Sequence, residues 1–114
     1  MKLTRFEFDN DGIFNALDYL YMADMTIDDK IDFDKVEESF EKNLKAPMFI
    51  SSAKPYKFYF TKEGVEKFKT ELETLERLFK EYAETSSVRF EKKIHLINQD
   101  DNIVYRDIYQ MALS

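Results

Sequence analysis

The chain has 114 residues, of which 44% are hydrophobic and 35% charged, and its formal charge is −6. This length and apolar content predict one folded domain, residues 1–114, with a single core. Cysteine is absent, which excludes disulfide scaffolds, zinc ribbons and thiol catalysis. No apolar run approaches the ~18 residues of a membrane span, and charged residues occupy positions 5, 7 and 9, where a signal peptide would be apolar. We therefore expect a cytoplasmic protein.

The negative charge is unevenly distributed. Residues 1–45 hold twelve Asp and Glu against six Lys and Arg, whereas residues 46–114 hold eleven of each. An acidic N-terminal part argues against direct binding of nucleic acid, because phosphate contacts need clustered Lys and Arg. It favours a partner with a basic surface.

The N-terminal part predicts a strand and two helices. Lys2–Phe8 alternates as a strand, and the turn before Ile13 offers Asn10 or Asp11 as the cap of a helix that ends near Tyr21. Asp24–Ile31 is interpreted as an acidic connection. The second helix is predicted to begin at Asp32 and to end before Pro47.

The longest predicted helix spans about residues 62–84 and is expected to be the centre of the domain. Its apolar side chains recur at steps of three and four, and therefore lie on one face; they are Val65, Phe68, Leu72, Leu75, Phe79 and Tyr82, with Leu78 at the edge. Thr61 is the predicted N-cap, since its hydroxyl can accept from a free backbone N–H in the first turn.

The remaining apolar segments predict strands. They are 48–50, 56–60, 88–97 and 103–113, of which the last two would form a C-terminal β-hairpin. On 88–97 the apolar side carries Ile94 and Leu96. The last strand is apolar on both faces, so both are covered or the strand pairs with another chain. The expected fold is therefore α+β, a mostly antiparallel sheet with three helices.

Motifs for chemistry are few. With only two glycines there is no phosphate-binding loop. His95 is the only histidine and is expected to be an exposed strand residue, and one such ligand is too few for zinc. We expect no catalytic residue, no cofactor and no metal site, and hence a protein that is not an enzyme.

A calcium loop is the nearest approach to a metal motif. Asp24, Thr26, Asp28 and Asp32 match its first, third, fifth and ninth positions. The sixth position is Asp29 where the loop needs Gly, and the twelfth is Lys35 where it needs a bidentate Glu. An acidic helix start that complements the helix dipole explains the same residues, and weak divalent binding over 24–34 is left open.

The acidic residues are the candidate partner-binding surface. They are Asp24, Asp28, Asp29, Asp32, Asp34, Glu37, Glu38 and Glu41. We expect a non-enzymatic protein-interaction domain that binds a basic site on another protein. A nucleic-acid-handling protein is a natural partner, because carboxylates can occupy the place of phosphates as a mimic or inhibitor. An ordinary solvated surface is the alternative.

A second function rests on a local pattern. The strand 56–60 runs into Thr61-x-x-Gly64 and a long helix, and this resembles the wing-to-helix junction of winged-helix transcription regulators. The resemblance implies DNA binding or regulation, with Phe33–Lys45 as the reading helix. That helix departs from the family, since it carries Asp34, Glu37, Glu38 and Glu41 against three lysines.

Two features are candidate contacts for a homodimer. The apolar seam of the long helix resembles three heptads, the lower limit for helix pairing between chains. The last strand, with its two apolar faces, is the other.

Overall fold

The protein is described from a computed structural model, which covers residues 1–8, 11–45, 56–82 and 90–114. The elements are β1 (Lys2–Phe8), α1 (Ile13–Tyr21), α2 (Ile27–Asn43), β2 (Lys57–Phe60), α3 (Lys62–Lys67), α4 (Lys69–Tyr82), β3 (Phe90–Leu96), β4 (Ile103–Arg106) and β5 (Gln110–Leu113). The α+β class, the antiparallel sheet and a C-terminal hairpin are confirmed. The short strand predicted at 48–50 lies outside the described residues.

The five strands form one sheet in the order β3-β1-β2-β5-β4. Every pairing is antiparallel, and β1 pairs with β3 along all seven of its residues. In the described residues β3 and β4 are the two edges. Along β1, Thr4, Phe6 and Phe8 alternate with Leu3, Arg5 and Glu7 between the two faces of the sheet.

The main core lies between the helices and one face of the sheet. Phe68 is its centre, because its ring packs edge-on against Phe40 and Tyr109, with ring centroids 5.6 and 5.2 Å apart, and also contacts Phe60. A second, smaller core of Leu3, Met111 and Leu113 lies apart from it. Strand β5, an inner strand, is therefore buried on both faces.

The long helix is present but divided. Its predicted apolar face is largely buried, and the hydroxyl of Thr61 accepts from Gly64 N at 3.1 Å as predicted. The backbone of Phe68 leaves the helical region at φ −107° and ψ 21°, so α3 and α4 replace one continuous helix. Phe68 N still donates to Gly64 O, and Leu72 N to Phe68 O, so the two helices follow one another closely.

Helix α2 begins five residues before the predicted start. The N-cap is Thr26, not Asp32, and the Thr26 hydroxyl accepts from Asp29 N at 3.2 Å. Ile27 and Ile31 are exposed and do not lie on the buried face of α2. The first two turns therefore lack the buried apolar residues whose periodicity marks the rest of the helix. The predicted cap of α1 was also wrong, because Gly12 is the N-cap and no side chain bonds there.

The C-terminal hairpin is built from strands other than the expected ones. The segment 103–113 divides into β4 and β5, which pair with each other, while β3 pairs with β1. Asp107 makes the turn, since its Oδ1 accepts from Tyr109 N and Gln110 N, both at 2.8 Å. Neither glycine nor proline marks this turn in the sequence.

The apolar side of β3 is exposed rather than buried. Ile94 is 48% and Leu96 69% exposed. On the other side of the strand His95 is half-buried, with its Nε2 2.9 Å from Asp101 Oδ2 and its ring 5.4 Å from the ring of Tyr59. The expectation of an exposed histidine is therefore wrong, because its ring lies against Tyr59 and Asp101. The side of β3 that was expected to be buried is the exposed one.

The close approach of Gly64 to the backbone at Tyr109 predicts a large effect of substitution. A Cβ there would lie 2.2 Å from Tyr109 O, so Gly64→Ala must displace backbone and should lower the free energy of unfolding by about 1–3 kcal/mol. The ordinary helical gain from Gly to Ala, about 1 kcal/mol, is too small to compensate. Urea denaturation would measure the change.

Gly12→Ala is the matched control. Its Cβ would meet only the end of the Arg5 side chain, at 3.4 Å, and φ at this position is −79°. We expect a change of at most about 1 kcal/mol there. Equal losses at both glycines would contradict the packing explanation.

Candidate functional site

The predicted acidic surface lies almost entirely on α2. Asp24 is exposed in the segment between α1 and α2, and the other seven acids follow along the helix. They do not form one continuous patch, because a helix turns 100° per residue and distributes them around its axis. The structure separates them into three groups.

The first group, Asp29 and Asp32, is bound by α4 at the surface of the domain. Arg77 reaches both carboxylates, with Nη1 3.0 Å from Asp29 Oδ1 and Nη2 3.0 Å from Asp32 Oδ2. The hydroxyl of Tyr82 donates to Asp29 Oδ2 at 2.5 Å and accepts from Thr26 N at 3.3 Å. These contacts hold α2 against α4, and both carboxylates already have partners.

The electrostatics of Asp29 fit this structural role. The hydrogen bond from Tyr82 and then that from Arg77 hold the pKa of Asp29 below its usual value. The same contact with Asp29 raises the pKa of Arg77. The carboxylate is therefore charged throughout the neutral range and bridges the two helices.

The second group shares one exposed face with two isoleucines. Ile27, Ile31, Asp34, Glu38 and Glu41 follow at steps of four, three, four and three, and all five are exposed. That spacing aligns them along one side of the helix. We call these five residues the α2 stripe; its N-terminal half is apolar, with Ile27 81% and Ile31 48% exposed, and its C-terminal half is acidic.

Glu37 borders the acidic half of the stripe. Burial raises its pKa, and the nearby charges of Glu41, Asp34 and Asp18 raise it further, against the opposing charge of Lys30. Asp18 belongs to α1, so the negative potential extends from α2 across to the neighbouring helix.

Lys30 joins the acidic and apolar parts of this surface. Its Nζ lies 5.2 Å from the centres of the Tyr21 and Phe33 rings and 3.5 Å from Asp34 Oδ1. Tyr21 is itself an exposed aromatic residue. Aromatic and aliphatic groups rimmed by charge are the usual composition of a protein interface.

The third group, Asp24 and Asp28, lies outside the stripe. Asp28 is in the first turn of α2, where a carboxylate complements the helix dipole. One and two heptads further along its side of the helix come Lys35 and Lys42, which balance its charge. We do not include these two acids in the candidate surface.

The calcium-loop pattern does not form a loop. Thr26 is the cap of α2, and the matching residues that follow are helical. In the described ranges no three His, Asp or Glu side chains converge as a metal site would require.

The Thr-x-x-Gly pattern has a structural explanation in this fold. The hydroxyl of Thr61 donates to Ile108 O at 2.6 Å and accepts from Gly64 N, and Thr61 N donates to Tyr109 O at 3.0 Å. Gly64 lets α3 contact the backbone at Tyr109. The residues that resemble a winged-helix junction thus attach α3 to the chain before β5.

Comparisons of the chain with protein-family models, with curated proteins and with solved structures gave no match. Of the helices in the described ranges, none combines the length and apolar character needed to cross a membrane. The function is therefore argued from the surfaces of the molecule itself.

The contact of Tyr82 with Asp29 predicts a change in titration. Tyr82→Phe removes the hydrogen bond that contributes most to lowering the pKa of Asp29. The pKa of Asp29 should therefore rise toward its usual value, and NMR titration of the carboxyl carbon would detect the change. Because the folded pKa is depressed, the stabilisation is present above the usual Asp range and lost as pH falls through the folded pKa. The variant should therefore lose less stability than the wild type between about pH 5 and about pH 2.

Tyr21→Phe is the control, since Tyr21 is exposed and does not contact Asp29 in the described structure. An Asp29 titration that is the same in wild type and Tyr82→Phe would show that the hydroxyl does not hold the carboxylate.

Proposed function

We propose that this protein is a non-enzymatic, cytoplasmic interaction domain whose α2 stripe binds a basic site on another protein. The observation that carries the proposal is the composition of the stripe. Two exposed isoleucines and three exposed carboxylates share one helix face, beside Tyr21. A helix that places anchors at this spacing in a groove is a common mode of recognition.

The apolar half supplies part of the affinity. Full burial of an isoleucine contributes about 1.5–3 kcal/mol. Scaled by the exposed fractions of Ile27 and Ile31, the two together would contribute about 2–4 kcal/mol before the cost of association. That alone corresponds at best to about millimolar binding, so the acidic half must contribute if the complex is to be stable.

The acidic half determines which partner fits. Asp34, Glu38 and Glu41 extend over about 10 Å of helix, and Glu37 lies beside them, with a pKa raised by burial and then by the charges of Glu41 and Asp34. Such a row accelerates encounter with a basic surface and disfavours acidic ones. Proteins that handle nucleic acid carry basic sites for phosphates, and the stripe would occupy such a site as a mimic or inhibitor.

The exposed side chains also show which charges to change. Reversal of Asp29 and Asp32 would break the contacts with Arg77 and would confuse loss of folding with loss of binding. Asp34, Glu38 and Glu41 are exposed. The ion pair between Lys30 and Asp34 is a surface pair that contributes little stability.

We expect the triple variant of Asp34, Glu38 and Glu41 to Lys to lose its partner with little change in Tm. The experiment is affinity capture from a nuclease-treated lysate, followed by calorimetric titration of the purified partner. A supporting result is a basic protein that the wild type retains and the triple variant loses, with wild-type affinity that falls as salt rises. Ile27→Ser with Ile31→Ser should weaken the same complex at all salt concentrations.

The matched control reverses Glu66, Glu73 and Asp100, three exposed acids elsewhere, and changes the net charge equally. Equal loss in both triple variants would show that only net charge matters and would contradict a specific stripe. Capture of duplex DNA itself, with steep salt dependence, would favour the winged-helix hypothesis instead.

A further inference from the structure

Among the described residues, the outer side of β3 is an unpaired hydrogen-bonding edge. Ile97 N donates to Met1 O at 2.9 Å, and in an antiparallel ladder such bonded pairs alternate with unbonded ones. Glu91, Lys93 and His95 therefore direct their backbone groups toward β1. The backbone groups of Lys92 and Ile94 point away from β1, and no strand in the described residues meets them.

This edge lacks several of the features that usually protect one, namely shortness, proline and a bulge, although it carries Lys92 and Lys93. Strand β3 has seven residues, no proline, and an unbroken register with β1 from Leu96 to Phe90. The opposite edge, β4, has four residues and a register shift between Ile103 and Tyr105. Short strands and bulges prevent association at an edge, whereas long regular strands favour it.

The helix side of the β3 edge is apolar and open. Thr4 pairs with Ile94 in register, so Ile94 and Leu96 lie on the side of the sheet that faces the helices. Both are exposed because the helices do not extend over them. Beside them a groove of about 580 Å³ lies between α3 and β1, with Met1, Val65 and Lys92 in its walls.

We propose that the β3 edge pairs antiparallel with β3 of a second copy, so that two five-stranded sheets join into one. The two-fold axis would pass through Lys93, the midpoint of the strand. This register pairs all seven residues, and it places Lys92 opposite the partner's Ile94, both with outward backbone groups. Edge-to-edge pairing of this kind is an established mode of strand recognition.

The side chains of β3 are complementary to themselves in this register. Glu91 lies opposite the partner's His95, once on each side of the axis. With its Nε2 donating to its own Asp101, the imidazole can also donate from Nδ1 to that Glu91 when it is protonated. The pair occurs twice only if the partner strand is an antiparallel copy. The aliphatic part of Lys92 can cover the partner's Ile94. The two Lys93 residues meet at the axis, but each is already held by its own Glu7 at 2.8 Å and lies 3.8 Å from Glu91.

The pairing is independent of the proposed function, since the β3 edge and the α2 stripe share no residue. It also replaces the two dimer contacts expected from the sequence. The apolar seam of the long helix is largely buried in the core, and β5 already pairs with β2 and β4, so neither is available to a second chain.

The test compares the two edges of the sheet by analytical ultracentrifugation of the full chain. Ile94→Lys and Ile103→Lys place the same charge at residues 48% and 43% exposed. We expect the wild type and Ile103→Lys to dimerise alike, and Ile94→Lys to dimerise at least tenfold more weakly. Circular dichroism establishes that each variant is folded.

Crosslinking tests the register, because the chain contains no cysteine. Opposed residues in an unbonded antiparallel pair have Cα atoms about 4.5 Å apart, within the range for a disulfide. Lys93→Cys should therefore form a disulfide dimer under mild oxidation, and Ile103→Cys should not at the same concentration.

Three results would overturn the proposal. They are a wild-type chain that remains monomeric at about millimolar concentration, a dimer that survives Ile94→Lys, and a crosslink through Ile103→Cys in place of Lys93→Cys. A wild-type chain that stays monomeric and adds a strand from another protein to its β3 edge would be a case of the first result.

Discussion

The contact that positions the other elements is the attachment of α3 to the chain before β5. Thr61 both caps the helix and bonds to the backbone of Ile108 and Tyr109, and Gly64 brings the helix into contact with the same backbone. One turn later Phe68 enters the centre of the core. A helix fixed at its start and again at Phe68 has little freedom, and α4 continues from there across the sheet.

The second constraint is the way α2 is held against α4. Apolar contacts join the two helices, but Arg77 and Tyr82 also bind carboxylates of α2. Because these ion pairs join two helices of the same domain, an acidic residue of α2 is not necessarily available to a partner. The acids that face α4 stabilise the fold, and only those on the outer side of α2, with Ile27 and Ile31, remain for a partner.

The two proposed surfaces differ in their chemistry. The α2 stripe offers side chains alone, so its specificity would come from isoleucines and carboxylates in a defined order. The β3 edge offers backbone groups, which any strand can meet, and the self-complementary order of Glu91 and His95 is what favours a second copy. A dimer through β3 would present two copies of the stripe, and a partner with two basic sites would then gain avidity.

Elements with strong periodicity or a clear cap could be predicted from the pattern of side chains alone. The strand Lys2–Phe8, the long helix and its Thr61 cap followed from side-chain spacing and from the hydroxyl chemistry of threonine, because these are local properties of the backbone. The acidic character of α2 was also evident, although its true start at Thr26 was missed because Ile27 and Ile31 face solvent.

Which surfaces stay exposed could not be predicted in this way. Strand pairing depends on contacts distant in sequence, so β3 paired with β1 and became an edge, and its apolar side was left uncovered. The partners of Asp29 come from α4, 48 residues or more away, and no local pattern could separate it from Asp34. Charge and periodicity can be read from the sequence, but the exposure of a side chain depends on how elements distant in sequence pack together.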